Sequence, residues 1–216
     1  FFPDLIVSLS PLTFLLYVCK NKLFHYFDNK PLILFFIFCF YCTLVSIFVA
    51  DNILLSFESS LFFFRIGIFA CVIWHLIEKD TKTLQYFYYS IMICFLILII
   101  DGYFQYFTGF NFFGLPKNGV RISSFFGDEL IMGSYLSRLF PLLFALFIIK
   151  KKNKYELYFI GLLFILIDIL IYLSGERTAF AFLNLSTIFI IILIKEYQKF
   201  RLITFIIAFT FIIALT

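Results

Sequence analysis

Charged side chains are scarce in this chain. Asp, Glu, Lys and Arg make up 14% of the 216 residues, and hydrophobic residues make up 63%. Soluble domains carry about 25% charged and 45 to 50% apolar residues, so this composition excludes a soluble globular domain. Several segments of about 20 residues contain one charge or none, and in lipid such segments satisfy their backbone groups as helices. We therefore predict an all-α integral membrane protein with about eight transmembrane helices.

Cysteine occurs five times, and all five residues lie within or at the ends of apolar runs. Cys39 and Cys42 have a spacing that redox and metal sites use, but no His or acidic residue accompanies them. Packing inside a helix is the better interpretation of this pair. We expect no disulfide and no metal ion.

Histidine is nearly absent, with only His25 and His75 in the chain. His25 lies in a basic connection and His75 near the end of an apolar run, so interface or packing roles are favoured for both. The sequence therefore offers no histidine that stands out as a catalytic base.

The apolar runs predict spanning helices at about 4–19, 31–50, 60–77, 84–107, 130–149, 155–173, 178–194 and 202–216. Twelve of the 17 basic residues fall in four alternate connections, at 20–30, 78–83, 150–154 and 195–201. The other connections hold only Lys117, Arg121 and Arg177. Basic residues concentrate on the cytoplasmic side of membrane proteins. The connections with few basic residues are therefore predicted to face outward.

Four charged residues lie more than one helical turn inside predicted spans, all toward the outer ends: Arg65, Asp101, Arg138 and Asp168. Charges confined to one leaflet indicate a site that opens to the outer surface. The alternative is that these residues only neutralise one another between helices. The sequence leaves both interpretations open.

The turn at 174–177 places an acid and an arginine between two apolar runs. Gly175 suits the left-handed residue that ends a helix. Arg177 then falls at the start of the next helix, where the helix dipole disfavours a cation. This position indicates an anionic partner for Arg177, either the carboxylates of Glu176 and Asp168 or a phosphate from outside.

A second outward segment carries Arg121 among small and polar residues. The next helix is predicted to begin near Asp128 or Glu129, where a carboxylate favours a helix N-terminus. Arg121 is either an incidental surface residue or a phosphate ligand. A guanidinium can bind phosphate through two parallel hydrogen bonds, so Arg121 and Arg177 together would suit a diphosphate.

Two short motifs in these segments resemble the bacterial O-antigen ligase and polymerase superfamily. The first comprises Arg121, Ser123, Phe126, Gly127, Gly133, Tyr135 and Leu136, and the second is Leu-Ser-Gly-Glu-Arg-Thr-Ala at 173–179. The resemblance covers about residues 119–195, with multi-span topology elsewhere.

The resemblance implies an inner-membrane glycosyltransferase with its site at the periplasmic face. Such enzymes take a glycan from an undecaprenyl-diphosphate carrier and transfer it to a sugar hydroxyl, in lipopolysaccharide or surface polysaccharide synthesis. The acceptor is lipid A core for ligases and another carrier-linked glycan for polymerases. The histidine base of the ligases has no match in this chain.

The resemblance matches Arg121 and Arg177 to arginines that engage the diphosphate. We accordingly expect Arg121, Glu176 and Arg177 as catalytic residues, and we expect Arg65, Arg138 and Asp168 to join the two arginines in substrate binding. No cofactor is expected. The expected partners are the carrier-linked donor, the acceptor and membrane lipid, without nucleic acid.

Two other classes of function remain. A transporter or flippase of lipid-linked glycan would have helices broken by Gly or Pro and charges exposed to both leaflets, whereas the chain has 9 Gly and 5 Pro and charges toward one side. A membrane scaffold or sensor would make the charged layer purely structural.

We interpret residues 1–216 as a single polytopic membrane domain whose ligase-like region begins at about 119. The sequence starts without Met and stops inside an apolar run, which predicts a fragment of a longer protein.

Overall fold

The computed structural model describes residues 2–80, 82–149 and 154–215, and these residues fold into helices joined by short turns and one longer loop. No β-strand occurs in these three ranges. The helices are α1 (Phe2–Asn21), α2 (Lys30–Val49), α3 (Ile53–Lys79), α4 (Lys82–Thr108), α5 (Met132–Ile149), α6 (Lys154–Leu173), α7 (Arg177–Leu193) and α8 (Gln198–Leu215).

Among the described residues, six segments have the length and composition to cross a membrane: α2, α3, α4, α5, α6 and the stretch Lys195–Ala214 that contains most of α8. Two shorter apolar helices, Leu5–Asn21 and Arg177–Leu193, accompany them. The predicted fold class is confirmed, and the chain is an all-α, multi-pass membrane protein.

The first of two compact units comprises Phe1–Thr83, in which α3 packs against both α1 and α2. Helices α2 and α3 meet closely at Gly67, where a Cβ would lie 2.8 Å from Cε1 of Phe36. The buried core of this unit is small and contains Phe14, Val18, Tyr26 and Cys71.

The hydroxyl of Tyr26 in this core donates to Oε2 of Glu78 at 2.7 Å and lies 2.9 Å from Nδ1 of His75. Because the hydroxyl has one proton, Nδ1 of His75 is the donor in the second contact. The His75 ring also packs against Phe14 and Tyr17. The His75 side chain is thus held by a hydrogen bond and by ring contacts within the first unit.

The second unit, Leu84–Thr216, has α5 and α6 at its centre, with α7 packed on both and α8 packed on α6 and α7. Phe140, Phe144 and Phe164 are fully buried between these helices. The Phe164 ring lies 5.2 Å from the Phe140 ring and 5.4 Å from the Phe144 ring, between centroids. This unit carries the site described below.

Three predicted helix starts are wrong. Helix α3 begins at Ile53, seven residues before the predicted start at 60. Helix α5 begins at Met132, and Asp128 and Glu129 are exposed in the loop before it. Helix α8 begins at Gln198, so Arg201 is not in a connection but inside the helix, where it is fully buried. Of the basic residues assigned to the connection 150–154, Lys150, Lys151 and Lys152 lie outside the described residues.

Candidate anion-binding site

A cavity of about 530 Å³ opens beside the turn between α6 and α7. Arg121, Glu176 and Arg177 line it, together with the aromatic residues Tyr106, Tyr172 and Phe180. The three residues expected to be catalytic are therefore brought to one place, although Arg121 precedes the other two by more than 50 positions.

Arg121 lies in the loop between α4 and α5. Buried polar side chains of α4 hold this loop in place. Oε1 of Gln105 accepts hydrogen bonds from the backbone N–H groups of Ser123 at 3.0 Å and Ser124 at 2.7 Å. Oδ1 of Asp101 accepts from the Phe112 N–H at 2.8 Å, and Oδ2 accepts from the Ser124 hydroxyl. Asp101 therefore anchors this loop and does not contact the arginines.

Ser124 adopts an unusual backbone conformation in this loop, with φ of +51°. A non-glycine residue in the left-handed region persists where its surroundings over-determine it. The N–H and the hydroxyl of Ser124 are bound by Gln105 and Asp101, and its carbonyl accepts from Nδ2 of Asn111 at 3.0 Å. The chain three residues beyond Arg121 is thus fixed on three sides.

The Arg121 side chain lies across Gly175. Its Nε donates to the carbonyl oxygen of Ser174 at 3.3 Å, and a Cβ on Gly175 would come 2.9 Å from Cγ of Arg121. Gly175 has φ of +71°, as predicted for a helix-ending glycine. A side chain at position 175 would displace Arg121, so the glycine serves both the turn and the arginine.

Arg177 is the first residue of α7 and its side chain is exposed. Its guanidinium has no hydrogen-bond or ion-pair partner within residues 2–80, 82–149 and 154–215. The predicted intramolecular partners, Glu176 and Asp168, are both engaged elsewhere. The first sequence-based alternative, a carboxylate partner within the chain, does not occur among the described residues, and an anion from outside stays a prediction.

Asp168 forms a buried, bidentate ion pair with Arg201. Nη1 of Arg201 lies 2.8 Å from Oδ2, and Nη2 lies 3.1 Å from Oδ1. Nε and Nη2 of Arg201 also donate to Oγ1 of Thr187, and the Phe140 ring lies 4.4 Å from the guanidinium carbon. Asp168 links α6, α7 and α8, and it does not line the cavity of Arg121 and Arg177.

Glu176 binds the start of α5. Its Oε1 accepts from the Gly133 N–H at 2.7 Å, and its Oε2 accepts from the Ser134 N–H at 3.1 Å and from the Ser134 hydroxyl. The first amides of a helix lack partners within the helix, and a carboxylate there is favoured by the dipole. The cap that was expected from Asp128 or Glu129 comes instead from Glu176.

The two remaining predicted substrate ligands belong to different units, Arg138 to the second and Arg65 to the first. Arg138 is exposed on α5 and lines a separate cavity of about 260 Å³ with Pro141 and Phe182. Arg65 belongs to the first unit, where its Nη1 donates to the Ser8 hydroxyl at 2.9 Å and its guanidinium lies over the Phe62 ring.

Sequence reasoning missed three polar residues that organise the second unit: Gln105, Asn111 and Arg201. Gln105 follows Asp101 by four residues in one apolar run, a spacing that puts both side chains on one helix face. That spacing was a usable signal. Arg201 was hidden because it borders a basic stretch and looked like part of it.

No group of three or more His, Cys, Asp or Glu side chains with metal-binding proximity occurs among the residues that the structure describes. The five cysteines are free thiols. The charged groups that line the cavity are the guanidinium groups of Arg121 and Arg177, which bind anions, and the carboxylate of Glu176, whose two oxygens accept from α5.

Comparison with protein-family models, with curated proteins and with solved structures finds no match to this chain. The resemblance to O-antigen ligases and polymerases therefore remains an expectation that depends on the two short motifs.

Proposed function

We propose that this protein is a glycosyltransferase of the O-antigen ligase or polymerase type. It transfers a glycan from an undecaprenyl-diphosphate carrier to a sugar hydroxyl at the periplasmic face of the bacterial inner membrane. One observation carries the proposal. Arg121 and Arg177 line one cavity, and within the described residues Arg177 has no anionic partner.

The reaction is a displacement at the anomeric carbon of the carrier-linked sugar. The bond from this carbon to the diphosphate oxygen breaks, and a bond to the acceptor oxygen forms. Negative charge grows on the departing diphosphate, and preorganised cations that face this charge stabilise the transition state. Arg121 and Arg177 supply these cations at the cavity, which is also lined by the aromatic residues Tyr106, Tyr172 and Phe180.

The acceptor hydroxyl loses its proton to a base as the new bond forms. Glu176 is the carboxylate next to Arg177, but both of its oxygens accept hydrogen bonds from α5. We therefore do not assign Glu176 as the base. The role of Arg121 and Arg177 in holding the diphosphate does not depend on which group takes the proton.

Replacement of each arginine in the full-length protein tests the proposal. We expect Arg177→Ala and Arg121→Ala to lower the rate of glycan transfer by about 100-fold or more, the usual effect of removing one transition-state donor. Arg177→Lys keeps the charge but loses the bidentate geometry, and should retain part of the activity. Transfer is measured with a labelled carrier-linked glycan in proteoliposomes.

Arg138→Ala is the matched control, because Arg138 is an exposed arginine in a different cavity. It should transfer glycan at the rate of the unmodified protein. Normal transfer by a stably expressed Arg177→Ala variant would refute the proposal. Movement of the labelled glycan across the vesicle membrane without transfer would favour the transporter alternative.

A further inference from the structure

We propose that Glu176 is a positioning residue: by fastening the α6–α7 turn to the first turn of α5, its carboxylate holds Arg121 and Arg177 against the same cavity. This inference rests on the proposed function for its catalytic consequence. Its structural content, the dependence of both arginines on Glu176, is tested separately below.

The contact between Glu176 and α5 is close and has several parts. Three donors from two consecutive residues, Gly133 and Ser134, converge on the carboxylate. Glu176 is 8% exposed, so water cannot readily replace these donors. Hydrogen bonds to a charged group are roughly twice as strong as neutral ones. The carboxylate therefore determines where the turn lies relative to α5.

Gly133 allows this contact. A Cβ at position 133 would come 2.2 Å from Oγ of Ser174 and 3.0 Å from Oε1 of Glu176. Any other residue would push the turn away from the helix. Ser174 is itself fully buried, and its hydroxyl donates to the Ile171 carbonyl at 2.7 Å and accepts from the Glu176 N–H at 3.3 Å. The turn is thus held from both sides.

Both arginines depend on the position of this turn. Arg177 follows Glu176 directly and begins α7. Arg121 rests on Gly175 and donates to the Ser174 carbonyl. If the turn moved away from α5, both guanidinium groups would change position together. The carboxylate of Glu176 thereby sets the positions of both guanidinium groups, although its own oxygens bind α5.

An experiment with inorganic pyrophosphate separates this role from others. A carboxylate beside two arginines weakens the binding of an anion by Coulomb repulsion, so its removal alone should strengthen binding. A positioning role predicts the opposite sign. We expect Glu176→Gln to weaken binding of pyrophosphate to the purified full-length protein by about tenfold, because hydrogen bonds to the charged group are lost.

Asp128→Asn is the matched control, since Asp128 is an exposed carboxylate in the loop before α5. It removes the same charge and should leave binding unchanged or slightly tighter. Ser134→Ala removes one of the donors to Glu176 and should weaken binding by a smaller factor than Glu176→Gln. Unchanged or tighter binding by Glu176→Gln would overturn the proposal.

A second readout does not require the proposed function. Phenylglyoxal modifies accessible arginines, and peptide mapping gives the rate at Arg121 and Arg177 separately. Glu176→Gln should change both rates, whereas Asp128→Asn should change neither. If both rates stay the same in Glu176→Gln, Glu176 does not position the arginines. If Arg121→Ala and Arg177→Ala bind pyrophosphate normally while the rates change, the proposed function fails and the positioning role stands.

The pH dependence of glycan transfer distinguishes positioning from base catalysis. If Glu176 were the base, Glu176→Gln would remove the limb of the rate profile that reports its titration. If Glu176 positions the arginines, the profile keeps its shape and only the maximal rate falls. Loss of the limb would overturn the positioning role.

Discussion

At the scale of single residues, Gly133 has the closest neighbour of the glycines that the structure describes. Its Cα faces the Ser174 hydroxyl so closely that an added methyl group has no room. We expect Gly133→Ala to lower the free energy of unfolding by about 1 to 3 kcal/mol, the typical cost of overpacking. The measurement is the thermal unfolding midpoint of the purified protein in detergent.

Gly161 provides the comparison for this prediction. It also lies inside a helix, but the nearest atom to its added Cβ would be Cε2 of Phe200 at 3.3 Å, which is a tight contact and not a clash. Alanine is favoured over glycine within a helix by about 0.5 to 1 kcal/mol. Gly161→Ala should therefore be near neutral. Equal effects of the two substitutions would contradict the close approach at Gly133.

The environment of Tyr26 predicts that the free energy of unfolding depends on pH in the alkaline range. Burial, followed by the hydrogen bond to Glu78, raises the pKa of Tyr26 from 10.0 to about 12. The folded state therefore keeps the phenolic proton more tightly than the unfolded state does. As pH rises from 10 to about 12, the unfolded state ionises first and the free energy of unfolding falls.

Tyr26→Phe tests this dependence, since it removes the titrating group but keeps the ring. The unfolding midpoint of the unmodified protein should decrease more steeply between pH 10 and 12 than that of Tyr26→Phe. Other tyrosines and lysines titrate in both proteins and cancel in the comparison. Parallel curves would show that Tyr26 titrates alike in both states.

At the scale of the helices, the ion pair of Asp168 and Arg201 joins three elements. Replacing one partner by Leu leaves the other as an uncompensated buried charge, at a cost of about 3 to 5 kcal/mol. Replacing both by Leu removes both charges. We expect the double variant to lose less stability than the sum of the single variants, measured by unfolding midpoints of all four proteins.

Arg138→Leu is the control for these variants, because Arg138 is exposed and its loss leaves no buried charge behind. It should change the midpoint little. Additive effects of Asp168→Leu and Arg201→Leu would mean that the two side chains are not coupled.

The existence of the helices could be predicted from the sequence, but the starts of α3, α5 and α8 could not. Apolar runs of spanning length specify that a helix forms, and α4 and α6 begin within two residues of the predicted positions. Helix α5 was placed too early because local acids are the usual caps. Its cap is Glu176, more than 40 positions away in sequence, and no local pattern contains such a contact.

The site was predictable only in part, because contacts between distant residues are not contained in local sequence patterns. Arg121, Glu176 and Arg177 stood out because charges are costly at a membrane, and the structure places all three at one cavity. Asp168 also stood out, but its partner Arg201 was hidden in a basic segment. Which embedded charges pair with one another depends on helix packing, and composition does not report packing.

At the scale of the whole molecule, the distribution of basic residues predicts an orientation. Burial of Arg201 removes one residue from the basic set, but Lys195 and Lys199 remain exposed at the end of α7 and the start of α8. Cytoplasmic sides are enriched in such residues. The loop carrying Arg121 is then predicted to lie on the opposite side.

Single cysteines at Asn118 and Gln198 test this orientation in a background without the five native cysteines. Both positions are exposed. On spheroplasts, a membrane-impermeant maleimide should label Asn118→Cys directly and Gln198→Cys only after permeabilisation. Labelling of both from the same side would contradict the predicted orientation.

The hydrogen bond between Glu176 and Gly133 also determines when, during synthesis of the chain, the start of α5 can be capped. Helix α5 leaves the ribosome before the α6–α7 turn, and 43 residues separate the two partners. At about 5 to 20 residues per second, the start of α5 waits roughly two to nine seconds for its cap. A nascent chain halted before residue 176 would enter the membrane with these amides uncapped. Glu176 would thus mark the point in translation at which the cavity can first assemble.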